Sequence, residues 1–164
     1  MGGHAGLRGL GRELARQLGR DFFDSDAEIE RRTGVDIPFI FEKEGEAGFR
    51  RRETQVIEEL TARQDIVLAT GGGAVLAEQN RRALASRGTV IYLEASVRQQ
   101  LARTRRSQNR PLLQTADPGT RLESLMAQRE PLYRQLADVT VSTDGRKVRQ
   151  VATEIRALLE GAGE

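Results

Sequence analysis

The sequence predicts an α/β fold in which a parallel sheet is covered by helices on both faces. Short apolar runs alternate along the chain with longer segments of helical periodicity. The short runs are continuously apolar rather than alternating, which is typical of strands buried on both faces of a parallel sheet. A length of 164 residues suits one domain with a single core. No repeat or change of composition divides the chain, so we expect one domain over residues 1–164.

Each element follows from its own local pattern. Four apolar runs are expected to form strands: Asp21–Asp24, Ile66–Ala69, Thr89–Leu93 and Val139–Ser142. Segments of helical periodicity are expected to form eight helices: Gly9–Gly19, a helix capped by Ser25 or Asp26 that runs through Thr33, Ile37–Glu44, Glu46–Arg63, Glu78–Ser86, Ser96–Arg106, Thr120–Leu136 and Lys147–Leu159. Pro131 should break or kink the helix that contains it. The polar, proline-containing segment 107–119 is predicted to be a mobile lid loop.

Composition excludes several classes of protein. The chain has no cysteine and one histidine, His4, which excludes disulfides, thiolate zinc sites, cysteine nucleophiles and histidine-based triads. A net charge of +2, carried by dispersed arginines, does not indicate a nucleic-acid partner. No apolar run approaches the roughly 18 residues of a membrane span, and no signal sequence follows Met1. We therefore expect a cytoplasmic protein with neither a membrane nor a nucleic acid as partner.

Two groups of residues follow strands, where parallel sheets bind their ligands. Asp24 ends the first expected strand and Asp26 follows two residues later, while Gly71–Gly73 follow the second strand. One carboxylate could hold Mg²⁺ while the other accepts a hydroxyl proton, although helix capping is an equally ordinary role for such residues. Three consecutive glycines would let a ligand approach the backbone N–H groups closely, whereas a plain flexible turn is the alternative.

Three arginines stand in contexts that suit the binding of anions. Arg50 lies three residues before Glu53 on a helix, so Glu53 could orient its guanidinium for a carboxylate or phosphate. Arg110 precedes a proline in the predicted lid, where a cation could close over a nucleotide. Arg129 lies just before Pro131. For each of them the alternative is an ordinary solvent-exposed arginine.

Taken in order and spacing, the motifs DSD, GFRxxE, ATGGG, RPLL and RxPLY resemble those of the shikimate kinase family. The resemblance runs from about Leu10 to Leu159. It implies a P-loop kinase fold like that of the nucleoside monophosphate kinases. The implied activity is ATP-dependent phosphorylation of the 3-hydroxyl of shikimate, on the route to chorismate and the aromatic amino acids. The implied cofactors are ATP and Mg²⁺, and a monomer is usual for the family.

The resemblance also implies a role for each motif. Asp26 corresponds to the ligand of the substrate hydroxyl and its base, and Asp24 to the residue that helps organise Mg²⁺. The carboxylate clamp corresponds to Arg50 and Arg129, and the backbone contacts of the substrate to Gly71 and Gly72. Arg110 corresponds to the lid arginine that meets ATP. Arg146 is expected near the adenine.

The N-terminus departs from the family pattern GxxGxGK[ST]. Gly6 stands at a phosphate-loop glycine and keeps a backbone N–H for the nucleotide, but Leu7 occupies the lysine position and Arg8 the metal-binding hydroxyl position. Leucine cannot neutralise phosphate, and arginine cannot ligate Mg²⁺. The family's first strand is also missing, so two strands of the sheet should be left with unpaired edges. A truncation or frame error at the N-terminus and natural degeneracy are both open explanations, and the intact acceptor motifs favour the former.

Three functions therefore remain in view. The leading hypothesis is a shikimate kinase whose altered phosphate loop impairs turnover. A second is a pseudokinase that binds shikimate without turnover, and a third is a related small-molecule kinase such as gluconate kinase.

Overall fold

The computed structural model describes residues 4–95 and 118–162 of the chain. The predicted helix Ser96–Arg106 lies outside the described residues, and so does most of the predicted lid, including Arg110. Among the helices that are described, none is both long enough and apolar enough to cross a bilayer.

The described part alternates helices and strands as the sequence predicts. In chain order its elements are α1 (His4–Leu18), β1 (Asp21–Asp24), α2 (Ser25–Thr33), α3 (Ile37–Thr61), β2 (Ile66–Ala69), a 3₁₀ helix (Gly72–Leu76), α4 (Glu78–Arg87), β3 (Ile91–Glu94), α5 (Pro118–Leu136), β4 (Val139–Ser142) and α6 (Val148–Ala162). Three of the four strands have the predicted bounds, and the third begins and ends slightly later than expected. Gly45, with φ 71° and ψ 179°, separates the two predicted halves of α3.

The strands pair in parallel, which confirms that part of the prediction. β1 pairs with β2 so that Asp24 lies opposite Ala69, and β3 pairs with β4. Within residues 4–95 and 118–162 the two pairs form separate two-stranded sheets. All four residues of β2 are only half-buried. A strand covered on both faces and paired on both edges would be more deeply buried, so this exposure agrees with the expected unpaired edge.

Helices cover both faces and divide the core into layers. On one face, α1 and α6 pack over β2, β3 and β4; the buried members of this cluster are Leu10, Leu14, Val141, Val151, Ala152 and Ile155. On the other face, α2 and α3 pack over β1 and β2; the buried members here are Ile29, Ile37, Ile40, Phe49, Val56 and Leu60. Because Val67 joins the first cluster and Leu68 the second, neighbouring residues of β2 point to opposite faces, as the pleat requires.

The ends of the first two helices show why glycine and aspartate occupy them. Gly19 (φ 68°) and Gly34 (φ 74°) adopt the left-handed conformation and end α1 and α2, as predicted. The prediction for the start of α2 is wrong, because the N-cap is Asp24 rather than Ser25 or Asp26. Asp24 keeps an extended backbone, and its side chain accepts a hydrogen bond from the Ala27 N–H.

Two further predictions about helices are corrected. α1 begins at His4 rather than at the predicted Gly9, so the residues that stand at the positions of the family's phosphate loop are helical from there on. α5 continues through Pro131 without the predicted break, and it already contains Pro118 and Gly119, the last two residues of the predicted lid. Pro131 and Ala127 are both exposed. The Ala127 carbonyl, which loses its helical partner at the proline, can therefore bond to water.

Glu28 should make stability depend on acid pH. Hydrogen bonds from Arg31, assisted by Arg32, hold the pKa of Glu28 at about 2 in the fold, against an ordinary value of 4.5. The ionised form is therefore stabilising above pH 4.5, and this contribution is lost as the pH falls toward 2. Since Arg31 is exposed, we expect Glu28→Gln to cost only about 0.5–1 kcal/mol at pH 7, measured by urea unfolding.

Glu42→Gln is the matched control, because Glu42 is exposed and has no ion pair among the described residues. The stability difference between Glu28→Gln and the unchanged chain should shrink as the pH falls from 4.5 to 2. A difference that stays constant over this range would contradict the assignment.

Candidate functional site

The register of β1 and β2 brings the two predicted strand-end groups to one edge of the sheet. Asp24, the last residue of β1, pairs with Ala69, the last residue of β2. Asp26 lies in the first turn of α2 just beyond this edge, and its side chain is almost fully buried. Gly71–Gly73 follow β2, and the 3₁₀ helix begins at Gly72. The aspartates and the glycine turn are therefore neighbours, as the sequence predicted.

Arg50 is held at this edge by a buried carboxylate. Its Nη1 donates a hydrogen bond to Glu53 Oε1 over 2.9 Å, and its Nη2 lies 3.4 Å from Glu46 Oε1. The Glu53 side chain has no exposed surface. A buried carboxylate requires a partner of opposite charge, so Glu53 fixes the position of the guanidinium. This confirms the predicted contact between Glu53 and Arg50.

Arg50 fills the space beside Gly73, the last glycine of the turn. A Cβ atom at Gly73 would lie 2.3 Å from Arg50 Nη2 and 2.6 Å from its Cζ. No real side chain tolerates such distances, so any larger residue would displace the guanidinium. Gly72 opens the 3₁₀ helix, where the first N–H groups have no partner within the helix. The turn thus presents backbone donors next to a fixed cation.

Helix α5 closes the other side of the turn. The Tyr133 hydroxyl donates a hydrogen bond to the Gly72 carbonyl over 2.5 Å. Arg129 lies four residues earlier, so it shares a face of α5 with Tyr133, and it is partly buried. The Tyr133 ring also stacks on Tyr92, with ring centroids 4.9 Å apart. This contact of Tyr133 was not predicted from the sequence, although the residue is part of the RxPLY motif.

Burial in this stack changes the acidity of Tyr92. Desolvation, assisted by the nearby carboxylate of Glu130, raises the pKa of Tyr92 to about 12. The phenol therefore stays neutral over the physiological range. Its ring packs against the Tyr133 ring, whose hydroxyl is bonded to the glycine turn.

Arg8 forms an ion pair with Asp24 that the sequence analysis did not foresee. Arg8 Nε lies 3.0 Å from Asp24 Oδ2, while Asp24 Oδ1 accepts the Ala27 N–H at 3.0 Å. Both oxygens of the predicted metal ligand are therefore engaged. In the described part of the chain, no three His, Cys, Asp or Glu side chains are grouped so that they could hold a metal ion. Because Arg8 and the Ala27 N–H engage both of its oxygens, Asp24 does not fit direct ligation of Mg²⁺, which needs a free oxygen at about 2.1 Å.

The residues predicted to meet the nucleotide are less well assembled. Gly6 lies within the first turn of α1, not in a loop, although N–H groups there lack helical partners. The Arg146 guanidinium is engaged by Glu154 and by the Ser142 carbonyl. Arg110 lies outside the described residues. The structure thus gathers the acceptor residues more completely than the nucleotide residues.

The close approach of Arg50 to Gly73 predicts a large effect of one added methyl group. We expect Gly73→Ala to push the guanidinium away from Glu53 and to lower stability by about 1–3 kcal/mol, as overpacking does. Chemical denaturation would measure the difference.

Gly9→Ala is the control with the opposite sign. No atom lies within 4 Å of a Cβ built at Gly9 in α1. Alanine should therefore stabilise that helix by up to about 1 kcal/mol. Equal effects of the two substitutions would contradict the steric explanation.

Comparison with known proteins agrees with this geometry. The family model "Shikimate kinase" matches residues 4–160. The shikimate kinase of Methylococcus capsulatus is 57% identical over 159 residues, which cover 97% of this chain and 89% of that protein. The structure of the Acinetobacter baumannii enzyme in complex with shikimate is similar with a TM-score of 0.94 and 52% identity, over 96% of this chain and 88% of that one. The Aquifex aeolicus enzyme follows with a TM-score of 0.84 and 34% identity, over 97% of this chain and 92% of that one.

These likenesses extend over nearly the whole chain and include a structure in which the same fold holds shikimate. They favour the shikimate kinase family over a gluconate kinase. Together with the strand-end aspartates, the glycine turn and the fixed Arg50, they show that the chain belongs to the shikimate kinase family, whose members are ATP-dependent phosphotransferases.

Proposed function

We propose that the chain binds shikimate at the edge formed by β1, β2 and α5 and phosphorylates its 3-hydroxyl from ATP, with low turnover. The observation that carries the proposal is the Arg50 guanidinium, fixed between the buried Glu53 carboxylate and Gly73. A cation that is already immobilised loses little entropy when it binds an anion. Family membership supplies the reaction, and the fixed cation supports an acceptor that carries a carboxylate.

On the acceptor side, two arginines bind the substrate carboxylate and the glycine turn supplies backbone donors. Arg50 and Arg129 come from different helices and pair with the substrate carboxylate, for which the planar guanidinium offers two parallel N–H donors. Gly72 offers its N–H to the substrate from the start of the 3₁₀ helix, and Gly71 lets the substrate lie close to the backbone. Tyr133 keeps this turn in place through the Gly72 carbonyl.

At the reacting hydroxyl, Asp26 is the general base. It orients the 3-hydroxyl and accepts its proton while the oxygen attacks the γ-phosphorus and the bond to the ADP oxygen breaks. Its burial excludes water from this position. Neither of these steps is assigned to a metal ion, because the surroundings of Asp24 do not fit one.

On the nucleotide side, residues 4–95 and 118–162 offer few cations for the phosphates. Leu7 carries no charge at the position of the family's lysine, and Arg8 is paired with Asp24. Phosphoryl transfer depends mainly on positioning and on neutralising the transferred charge. A shortage of cations at the phosphates should therefore slow the reaction while leaving the binding of the acceptor intact.

Shikimate should stabilise the chain through Arg50. Millimolar shikimate is expected to raise the Tm of the unchanged chain, and Arg50→Ala should remove most of this shift. Losing a charge-assisted pair of about 1.5–3 kcal/mol corresponds to affinity weaker by roughly 10- to 150-fold. Differential scanning fluorimetry gives the shift, and isothermal titration calorimetry gives the Kd.

Arg51→Ala is the matched control, since Arg51 is the next residue of α3 and is exposed. It should keep the shikimate shift of the unchanged chain. If shikimate stabilises neither protein, or if Arg50→Ala keeps the full shift, the acceptor site proposed here is wrong.

Turnover separates a slow kinase from a pseudokinase. In an ATP-consumption assay with saturating shikimate, we expect kcat at least about 100-fold below that of the Methylococcus capsulatus relative, measured side by side. Such a loss is typical when one group that stabilises the transition state is removed. Shikimate binding with no turnover at all would favour the pseudokinase, and equal rates would refute the role given to Leu7 and Arg8.

A further inference from the structure

The position of Arg8 follows from the way α1 packs on β1. A Cβ at Gly11 would touch the Phe22 ring, and Arg8, three residues earlier in α1, reaches Asp24, two residues later in β1. The helix therefore runs antiparallel to the strand. This places Arg8 at the edge of the sheet where the acceptor residues meet.

The pair that results is largely shielded from water on the aspartate side. The Asp24 side chain is 7% exposed and the Arg8 side chain 31%. The second carboxylate, Asp26, follows two residues later and is 1% exposed. A carboxylate as buried as Asp24 needs positive charge nearby, and Arg8 supplies it from within the chain.

We propose that Arg8 is the resident cation of this edge: it occupies at Asp24 the place that a divalent ion would otherwise take, so acceptor binding needs no metal. This inference rests on the proposed function for the identity of the acceptor. A guanidinium whose Nε lies 3.0 Å from Oδ2 repels an approaching dication and also occupies one of the oxygens that the ion would use. The Ala27 N–H occupies the other oxygen.

Ion binding tests the proposal without nucleotide or turnover. Mn²⁺ serves as the probe, because its EPR signal in solution is lost when the ion binds. The unchanged chain should leave the signal intact. Arg8→Ala should take up Mn²⁺ on the freed Asp24 oxygen with water as its remaining ligands, and Arg8→Ala/Asp24→Asn should take up none. Uptake by the unchanged chain would overturn the proposal, and so would the lack of uptake by a folded Arg8→Ala variant.

A second measurement needs no variant and holds even if Arg8→Ala does not fold. The rise in Tm that shikimate produces in the unchanged chain should be the same in MgCl₂ and in EDTA. A shift that appears only with MgCl₂ would overturn the role of Arg8. If shikimate gives no shift in either buffer, the proposed function fails instead, while the Mn²⁺ titrations still decide the proposal about Arg8.

Discussion

A single buried carboxylate sets the geometry of the acceptor site. Glu53 has no exposed surface, and an ionised carboxylate without a counter-charge would be strongly destabilising there. The Arg50 guanidinium meets this demand at 2.9 Å. In doing so it takes the space that a Cβ atom of residue 73 would occupy. The charge on Glu53 thus holds the guanidinium against the last glycine of the turn.

The pairing of β1 with β2 places the glycine turn and Arg50 beside the aspartates. Since Asp24 lies opposite Ala69, the residues that follow the two strands emerge side by side. Carboxylates then occupy one part of the edge, while guanidinium groups and backbone donors occupy another. A small acid that also carries a hydroxyl group fits such a division, because its carboxylate and hydroxyl groups need partners of opposite character.

The features that could be predicted from the sequence are those that depend on local patterns of residues. The strands Asp21–Asp24, Ile66–Ala69 and Val139–Ser142 were found because short continuous apolar runs identify buried strands. The contact of Arg50 with Glu53 was found because residues three apart share a helix face. Contacts across the fold were not foreseen, since the Tyr133 hydroxyl meets a carbonyl 61 residues away and no periodicity encodes that. The N-cap of α2 was also not foreseen, because it depends on the extended backbone of Asp24. The continuity of α5 at Pro131 depends on the exposure of the Ala127 carbonyl to water.

The acceptor half and the phosphate half of this fold are stabilised by different contacts. The hydrogen bonds that fix Arg50 and the Gly72 turn come from Glu53 on α3 and Tyr133 on α5. The start of α1, the segment that corresponds to the phosphate loop, reaches the acceptor edge through Arg8 at Asp24. A change at the phosphate segment therefore alters the charge balance at Asp24 without removing the contacts that hold the carboxylate clamp. For this reason the substitutions at Leu7 and Arg8 should affect catalysis more than recognition.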